Sequence, residues 1–430
     1  MKKRISCYIA AAVWCVSSFA QSGTNSPYSQ FGLGVLTDQS QGYSRGMNGV
    51  GLGLRQGNLV NTLNPASYSA IDSLTMIFDM GVSGQLTHFK EGNASTNAKN
   101  ADFEYAVGCF RLVRGVGMSF GVLPLTNVGY SYKSTTRLSD NRGTMTQTYS
   151  GSGGLHQVFL GVGWRIAKPL SVGVNGAYVW GSIDRSISSA SSATDINTLR
   201  KAYSASVKSY KLDFGVQWQQ PFGRTDLLTV GATVGVGHKL GADPQCVITN
   251  TNSQTAIADT TTFVVSNGLS LPMTYGLGLG WHHGQSLFVG LDATLQQWGS
   301  LDFPRYDEGN YTLRSGMLKD RYKVNLGADY QPNALSRNLL ERIHYRVGAG
   351  FATPYYKIEG NDGPKELSVS AGFGIPLQNG WNSRGNMRPM LNISAQWAHS
   401  SARDYITEDM FRINIGLTFN ERWFAKWKVD

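Results

Sequence analysis

The side chains most able to carry out chemistry here are seven histidines, because imidazole serves as a general base and as a metal ligand. A hydrolytic site would also need a nucleophile and an orienting acid close to a histidine. Most of the histidines fall near the ends of predicted strands, where solvated or interfacial roles are expected. The seven are His88, His156, His238, His282, His283, His344 and His399. Adjacent His282 and His283 would point to opposite faces of a strand and could not chelate one metal together.

Two other patterns also fail to indicate a catalytic or cofactor site. The glycine run Gly49-x-Gly51-x-Gly53 neither follows a strand nor opens a helix, so it is not a dinucleotide-binding motif. Asp307 and Glu308, in a long polar loop, suit either a Ca²⁺ ion or simple solvation, and solvation is the commoner outcome. The sequence therefore predicts a protein that is not an enzyme, with no catalytic residues, no metal and no cofactor.

The first residues have the pattern of a secretory signal. Residues 1–4 are basic, residues 5–16 are apolar, and residues 18–20 form a small-x-small cleavage site. We expect residues 1–20 to be removed, so that the mature chain starts at Gln21. An uncleaved anchor is the alternative, and a lipoprotein linked through Cys15 is disfavoured by the tryptophan that precedes it.

Charge and cysteine content narrow the possible partners. Loss of the basic residues at positions 2–4 lowers the formal net charge from +10 to +7, and the remaining excess forms no cluster. Nucleic-acid binding needs such a cluster, so we expect no nucleic-acid partner. After signal removal only Cys109 and Cys246 remain. Two cysteines cannot build a disulfide framework, and the sequence leaves open whether they pair.

Period-two hydrophobic patterning dominates the mature sequence. In residues 210–219, Leu212, Phe214, Val216 and Trp218 alternate with polar residues and glycine. Repeated segments of about ten residues with this pattern are typical of transmembrane β-barrels. A soluble β-sandwich also alternates, but glycine weakens a solvent-facing strand and the aromatic residues lie near the segment ends, as in a membrane girdle. The sequence therefore predicts an all-β, antiparallel transmembrane barrel.

Fourteen segments carry the pattern, and an even number returns both ends of a bacterial barrel to the periplasm. They span residues 75–89, 102–113, 116–137, 144–166, 169–184, 202–219, 226–239, 262–282, 286–298, 319–331, 343–358, 365–377, 387–400 and 404–420. Long polar stretches at 185–201, 240–261 and 299–318 are expected to be extracellular loops. The connections 332–342 and 378–386 are longer than usual for periplasmic turns.

Seven charged residues on the polar faces of these strands would point into the lumen. They are Lys211, Asp213, Asp292, Lys323, Asp329, Arg346 and Arg412. Charges inside a barrel must pair or meet water, and the mixture of signs favours a network that grips a plug over a single-sign pore. Pairing between neighbouring strands is the structural alternative. A barrel this wide cannot fill its lumen with strand side chains, and residues 21–73 are available to occupy it.

Several motifs, in order along the chain, resemble those of the FadL/TodX-type outer-membrane transporters. They are the run 46–51, Asn64-Pro65-Ala66, Leu123-Pro124-Leu125 with Gly129, the block at 298–301 and 319–330, and residues 346–351 with Pro354. The resemblance extends over most of the mature chain. Asn64-Pro65-Ala66 is weak by itself, and the ordered set is more specific.

The resemblance implies a fourteen-stranded barrel (residues 74–430) with an N-terminal hatch (21–73) inside it, in a Gram-negative outer membrane. The hatch motif would be Gly49, Gly51, Asn64, Pro65 and Ala66. A kink in the third strand at Leu123, Pro124 and Gly129 would open the wall laterally. Members move hydrophobic compounds, so the expected partners are membrane lipid and a hydrophobic small molecule.

The resemblance has two gaps. No equivalent of the family's fatty-acid pocket is recognisable, and residues 420–430 continue beyond the last predicted strand. Some members of the wider family serve as barrel subunits of larger machines for protein secretion or outer-membrane protein assembly. The alternative function is therefore a structural or docking role in such a complex, with other outer-membrane proteins or lipoproteins as partners.

Overall fold

The structure is a computed structural model that describes residues 23–73, 75–138, 143–193, 195–377 and 389–421. The predicted signal peptide, the 378–386 connection and the end of the chain after residue 421 lie outside these ranges. Within them, most of the chain is β-structure arranged around a closed wall.

Fourteen strands form the wall. They are β1 (Met76–Glu91), β2 (Ala94–Val113), β3 (Val116–Arg137), β4 (Thr144–Arg165), β5 (Leu170–Ser191), β6 (Thr198–Phe222), β7 (Asp226–Gly235), β8 (Thr274–His283), β9 (Leu287–Gln296), β10 (Arg321–Tyr330), β11 (His344–Ala352), β12 (Lys365–Pro376), β13 (Met390–Ser401) and β14 (Thr407–Glu421). Each strand pairs antiparallel with its neighbours, and β14 pairs with β1 to close the barrel. The predicted fourteen-stranded barrel is confirmed.

The remaining elements are short. Two 3₁₀-helices span Pro27–Gln30 and Pro65–Ala70, and two α-helices span Gly42–Arg45 and Leu339–Arg342. The short strands are Val35–Leu36, His238–Lys239, Gln245–Thr251, Ala258–Val264, Ser270–Leu271, Phe303–Asp307, Asn310–Arg314, Lys357–Ile358 and Asn361–Asp362. None of the helices in the described part of the chain has the length and apolar character needed to cross a membrane.

Several strand boundaries differ from the predicted ones. β5 ends at Ser191 and β6 begins at Thr198, so residues 185–191 and 198–201, expected to be loop, are strand. β8 begins at Thr274 instead of residue 262, because Ala258–Val264 forms a hairpin with Gln245–Thr251. That hairpin extends the sheet from the first residues of β6, beyond the barrel. Its Thr- and Val-rich alternation is the same as that of a wall strand, so periodicity alone could not separate them. β2 begins at Ala94, eight residues before its predicted start.

The two faces of the wall differ as the alternation predicts. In β6, Phe214, Val216 and Trp218 are 41–48% exposed on the exterior, whereas the intervening Gln217 is fully buried toward the lumen. The same apolar exterior continues around the other strands. An apolar outer surface on a closed antiparallel barrel suits the hydrocarbon layer of a Gram-negative outer membrane, so the chain is an outer-membrane barrel.

Residues 23–73, hereafter the N-terminal segment, pack within this wall. One buried cluster joins Tyr43, Met47 and Val50 to Phe288 of β9. A second joins Tyr68 to Tyr105 of β2 and to other wall residues. The largest cluster lies toward the long loops, at the end we assign as extracellular. The buried core is therefore inside the barrel, and the N-terminal segment forms much of it.

Candidate functional site

The Asn64-Pro65-Ala66 motif begins a 3₁₀-helix where a tight turn was expected. The Asn64 side chain caps this helix by accepting a hydrogen bond from the amide of Ala66 (3.1 Å). Its Nδ2 donates to the carbonyl oxygens of Leu52 (3.0 Å) and Val216 (3.2 Å). Pro65 stands in the first turn, where its missing N–H costs nothing. Asn64 thus caps the 3₁₀-helix, links two parts of the N-terminal segment by a hydrogen bond and connects the segment to β6.

Lumen-facing glycines of the wall lie directly against this segment, and we call Gly173, Gly215 and Gly231 the glycine seats. A Cβ atom on Gly215 would lie 2.2 Å from Asn64 Oδ1, and one on Gly231 would lie 2.0 Å from the Leu52 carbonyl oxygen. A Cβ on Gly173 would lie 2.4 Å from the Pro65 carbonyl carbon. The sequence indicated that the N-terminal residues would occupy the lumen, but not that they would rest on these glycines. The glycines let the backbone of the N-terminal segment lie directly against the wall.

The glycine-rich run of the predicted hatch motif lies against β9. Gly49 has φ of 82°, a conformation that favours glycine. The carboxylate of Asp292 accepts hydrogen bonds from the amides of Gly51 (2.7 Å) and Leu52 (2.9 Å). Asp292 is 4% exposed. A predicted lumen charge therefore holds the N-terminal segment through its backbone.

Asp329 and Arg346 form a second attachment. Arg346 Nε lies 3.0 Å from Asp329 Oδ1, and both side chains are buried. The Tyr43 hydroxyl donates to Asp329 (2.7 Å), while the Arg346 guanidinium lies 4.0 Å from the centroid of the Tyr43 ring. The Tyr43 ring thus packs on the guanidinium of Arg346, and the Tyr43 hydroxyl donates a hydrogen bond to Asp329, the acid that pairs with Arg346.

The other predicted lumen charges are placed differently. Lys211 and Asp213 pair with each other within β6, instead of with a neighbouring strand or with the segment. Arg412 of β14 bonds the side chain of Gln85 on β1, with 2.9 Å from Nη2 to Oε1. Lys323 lies in the lumen beside Asp38 of the N-terminal segment. Wall-to-wall pairing and attachment to the segment therefore both occur.

Asp38 in the N-terminal segment is a partly buried acid that keeps its negative charge. Burial acts to raise the pKa of its carboxyl group, but Lys323, Arg45 and a hydrogen bond from the Ser40 amide (2.8 Å) outweigh burial. The net effect is a pKa well below the usual range, so Asp38 stays ionised in the lumen.

One buried ion pair between the N-terminal segment and the wall was not anticipated from the sequence. Arg45 Nη2 lies 2.9 Å from Glu104 Oε2 of β2, and the side chains are 3% and 4% exposed. Arg45 also bonds Asn414 of β14 (3.1 Å), and its guanidinium lies 5.6 Å from the Tyr105 ring. Glu104 interrupts an apolar stretch of the sequence, which is the signal that could have marked it as a lumen acid.

Strand pairing in the wall becomes irregular at the predicted third-strand motif, Leu123, Pro124 and Gly129. β2 and β3 pair from Val113↔Val116 only as far as Ala106↔Val122. Beyond that point β2 (94–105) pairs only with β1, and β3 (123–137) pairs with β4. The pairing of β3 with β4 also shifts register between Pro124 and Thr126. We call the region between these two diverging strand edges the seam.

The N-terminal segment lies along the seam. Val35 and Leu36 pair antiparallel with Asn127 and Thr126 of β3. Farther along β3, the Pro124 carbonyl accepts from Thr37 Oγ1 (2.6 Å), and Gly129 donates from its amide to Ser29 Oγ (3.1 Å).

On the other side of the seam, Asn25 Nδ2 donates to the carbonyl of Lys99 on β2 (3.2 Å). The two edges also meet through Asn127 Nδ2 and Asp102 Oδ2, 2.9 Å apart. Leu123 is buried beside this region. At Thr126 and Asn127, the segment therefore takes the pairing position that β2 would fill in a regular wall.

Two lumen cavities of about 190 and 240 Å³ adjoin this region. The first is lined by residues of the segment and by charged wall residues, among them Asp102, Glu104 and Arg412. The second reaches Asp292 and the Lys211–Asp213 pair. Both cavities have polar and apolar surface, and the second also contacts Leu123, Leu125 and Phe159.

Histidine and cysteine positions do not add a reactive centre. Exposed His283 pairs with Asp226, while His282 packs on the Phe288 ring, so the two point to opposite faces as expected. Cys109 and Cys246 are both free and buried. Among the described residues, no cluster of three His, Cys, Asp or Glu side chains is placed to hold a metal.

Solved structures with the same fold share little sequence with this chain. A FadL homologue of Pseudomonas aeruginosa is 11% identical, with a TM-score of 0.59 over 90% of this chain and 99% of that one. The toluene transporter TbuX of Ralstonia pickettii is 14% identical (TM-score 0.60; 89% and 98% covered). The toluene transporter TodX of P. putida is 12% identical (TM-score 0.61; 92% and 99% covered). The predicted FadL/TodX-type fold is confirmed.

Sequence comparison gives a more specific assignment. None of the curated proteins matches this chain. The model of the family described as BamG matches residues 1–430. This name differs from those of the structural neighbours, which at such low identity share the fold alone. Because the match extends over the full length, the chain belongs to the BamG family.

Proposed function

We propose that this barrel passively transports hydrophobic compounds, fatty-acid-like molecules among them, across the outer membrane through the seam between β2 and β3. The observation that carries the proposal is the loss of β2–β3 pairing beyond Ala106↔Val122. An apolar solute leaving the lumen there would enter the lipid sideways. The named neighbours, which are transporters and not enzymes, support a non-catalytic role.

Residues 21–73 would be the hatch that controls this route. Their contacts with the seam are few and local: one two-residue strand pairing and several side-chain hydrogen bonds. Their contacts with Asp292, Asp329 and Glu104 are buried and charged. A loosely held part at the seam and a firmly held part in the lumen suit a gate that opens without release of the whole segment.

Uptake measurements test the proposal. Liposomes carrying the purified barrel should take up a labelled long-chain fatty acid or aromatic hydrocarbon faster than empty liposomes. Complementation of a deletion strain gives the same comparison in cells. Equal rates with and without the barrel, across several such ligands, would contradict a transport function.

A second candidate is a structural or docking role within a larger outer-membrane complex for protein secretion or outer-membrane protein assembly. Two observations favour it. The family model is not that of the channel proteins, and the backbone of the N-terminal segment fills the lumen at the level of Gly173, Gly215 and Gly231. A permanently filled barrel would serve well as a rigid subunit with other outer-membrane proteins or lipoproteins as partners.

Mass spectrometry of the barrel purified in mild detergent separates the two candidates. Partner proteins in stoichiometric amounts would support the complex. A lone barrel carrying lipid or another apolar molecule in its lumen would support transport.

A further inference from the structure

The connection between β10 and β11, at the periplasmic end of the barrel, spans residues 331–343. It carries three exposed leucines: Leu335 is 73% exposed, Leu339 44% and Leu340 62%. We call this connection the leucine loop. Single exposed leucines are normal on a protein surface, but several together form an apolar patch, and such patches mark contact with a partner or a membrane.

Hydrogen bonds within the leucine loop hold these side chains outward. The Asn333 side chain accepts from the Leu335 amide (3.0 Å), and the Asn333 amide donates to the Glu341 carbonyl oxygen (2.8 Å). The Asn338 side chain caps the short helix of the loop by accepting from the Leu340 amide (3.1 Å). The leucine side chains take no part in these bonds. The loop's own geometry therefore explains the asparagines but not the choice of leucine.

The leucine loop is attached to the lipid-facing side of the wall. The Tyr345 hydroxyl donates to the Leu340 carbonyl oxygen (2.9 Å). Tyr345 is directly paired with Tyr330 of β10 and Phe373 of β12, which are each 49% exposed on the exterior. The rings of Tyr345 and Phe373 meet edge to face, with 5.8 Å between centroids. Aromatic residues at strand ends of a barrel lie at the membrane–water interface, so the loop is fixed at that depth.

We propose that the leucine loop inserts its leucines into the periplasmic leaflet of the outer membrane and anchors this end of the barrel there. The apolar face of an interfacial helix is buried about 5–10 Å into the boundary between headgroups and acyl chains. Lipid is the occupant because the patch continues, through Tyr345, the same surface that the wall already presents to lipid. The inference goes beyond the proposed transport, since the loop lies between β10 and β11 and the seam between β2 and β3.

The anchor also bears on how the N-terminal segment is held. The two strands that the leucine loop joins carry Asp329 and Arg346, the pair that contacts Tyr43. Asp329 is the residue before the last of β10, and Arg346 is the third of β11. A loop held in the leaflet therefore keeps the ends of both strands at a fixed depth.

Spin labels in the full-length barrel test the anchor, in vesicles of phosphatidylethanolamine and phosphatidylglycerol. Nitroxides are attached at Leu335→Cys and, separately, at Leu340→Cys, while Cys109 and Cys246 are buried and should not take the label. Molecular oxygen concentrates in lipid, whereas a water-soluble nickel chelate stays in water. Both labels should therefore collide with oxygen more often than with the chelate.

Two reference positions calibrate the collision ratio. Val347→Cys, 59% exposed on the lipid-facing side of β11, gives the value for lipid. Gln285→Cys, in the exposed periplasmic turn between β8 and β9, gives the value for water. The ratio of oxygen to chelate collisions at Leu340 should approach that at Val347 and exceed that at Gln285 several-fold. A ratio at Leu340 equal to that at Gln285 would overturn the proposal.

A second measurement needs no label. Leu335→Gln with Leu340→Gln removes the apolar groups and keeps the backbone hydrogen bonds, so the loop should leave the leaflet. Amide hydrogens of residues 331–343 should then exchange several-fold faster in vesicles than in the wild type. Ile257→Gln, which replaces a 70% exposed apolar residue in an extracellular loop, should leave this exchange unchanged. Equal exchange in the double variant and the wild type would place the leucines in water and refute the anchor.

Discussion

Arg45 of the N-terminal segment and Glu104 of β2 form an ion pair with 2.9 Å between their charged atoms, in a site where neither side chain is more than 4% exposed. Such a pair contributes little net stability, because desolvation of two charges offsets much of their attraction. Separating the two residues, however, would leave a buried charge without its counterion, which is strongly unfavourable. The pair therefore couples the position of the segment to the wall.

Removal of one partner should be costly. Glu104→Gln leaves the Arg45 charge buried without its counterion, and we expect a loss of about 3–5 kcal/mol in the free energy of unfolding. Glu104→Leu combined with Arg45→Met should recover most of this loss, because no charge is then stranded. Urea unfolding in detergent, followed by tryptophan fluorescence, measures both effects.

An exposed pair provides the matched control. Lys319 and Asp362 are 41% and 46% exposed, so Lys319→Met should cost no more than about 1 kcal/mol. A Glu104→Gln effect as small as this would mean that water reaches the Arg45 site and that the pair does not lock the segment.

Much of the wall could be read from the sequence because each strand carries its own period-two pattern. The alternation of Leu212, Phe214 and Val216 predicts the outward face of β6 from this strand alone. The hairpin at 245–264 carries the same pattern, and whether such a strand joins the wall depends on contacts that periodicity does not encode.

The site could be read less fully, for a related reason. The capping role of Asn64 is local and follows from the Pro65 beside it. The Arg45–Glu104 pair depends on how the N-terminal segment folds within the lumen, which no local pattern specifies. The same limit applies to Lys211 and Asp213. The sequence suggested that they hold the segment or pair with neighbouring strands, and they instead pair with each other within β6.

The glycine seats give a second prediction. Gly231→Ala places a methyl group 2.0 Å from the Leu52 carbonyl oxygen, so the segment must move away from β7. We expect a loss of about 1–3 kcal/mol, the usual cost of overpacking, and a lower melting temperature in detergent. Gly84→Ala is the control, because nothing lies within 4 Å of its added methyl group. Equal melting temperatures for the two variants would show that the segment does not rest on Gly231.

Asp38 gives a prediction about pH. Its pKa is lower in the folded protein than in the unfolded chain, so the folded state binds fewer protons and Asp38 stabilises it above a pH of about 4. As the pH falls below 4 toward the folded value, this stabilisation is lost. The wild type should therefore lose more stability between pH 5 and pH 3 than Asp38→Asn does. Parallel acid titrations of the two proteins, monitored by tryptophan fluorescence, provide the measurement, and identical curves would contradict it.

A disulfide between the N-terminal segment and the β3 edge of the seam tests whether the segment must leave this edge during transport. Val35 and Asn127 are directly paired there, close enough for cysteines at these positions to be joined. Val35→Cys with Asn127→Cys should transport hydrophobic compounds when reduced and lose most uptake when oxidised. Thr249→Cys with Thr260→Cys, a pair in the extracellular hairpin, should transport equally in both states. Equal uptake by the oxidised variant would show that transport does not require the segment to leave β3.

Deletion of residues 21–60 tests whether the segment is a hatch. The strands and their hydrogen bonds would remain, so the shortened barrel should still fold and insert into a bilayer. The glycine seats would then face water, and charged groups that now hold the segment, such as Asp292 and Glu104, would line an open lumen. We therefore expect a several-fold rise in single-channel conductance in planar bilayers.

The deletion needs a control for incomplete folding, because a damaged barrel also leaks. Glu104→Leu with Arg45→Met keeps the segment and should conduct like the wild type. Heat-modifiable migration on gels reports whether each barrel is closed. If the deletion variant is fully folded and its conductance is unchanged, residues 61–73 or the loops close the lumen, and the segment before Asn61 is a structural lining without a gating role.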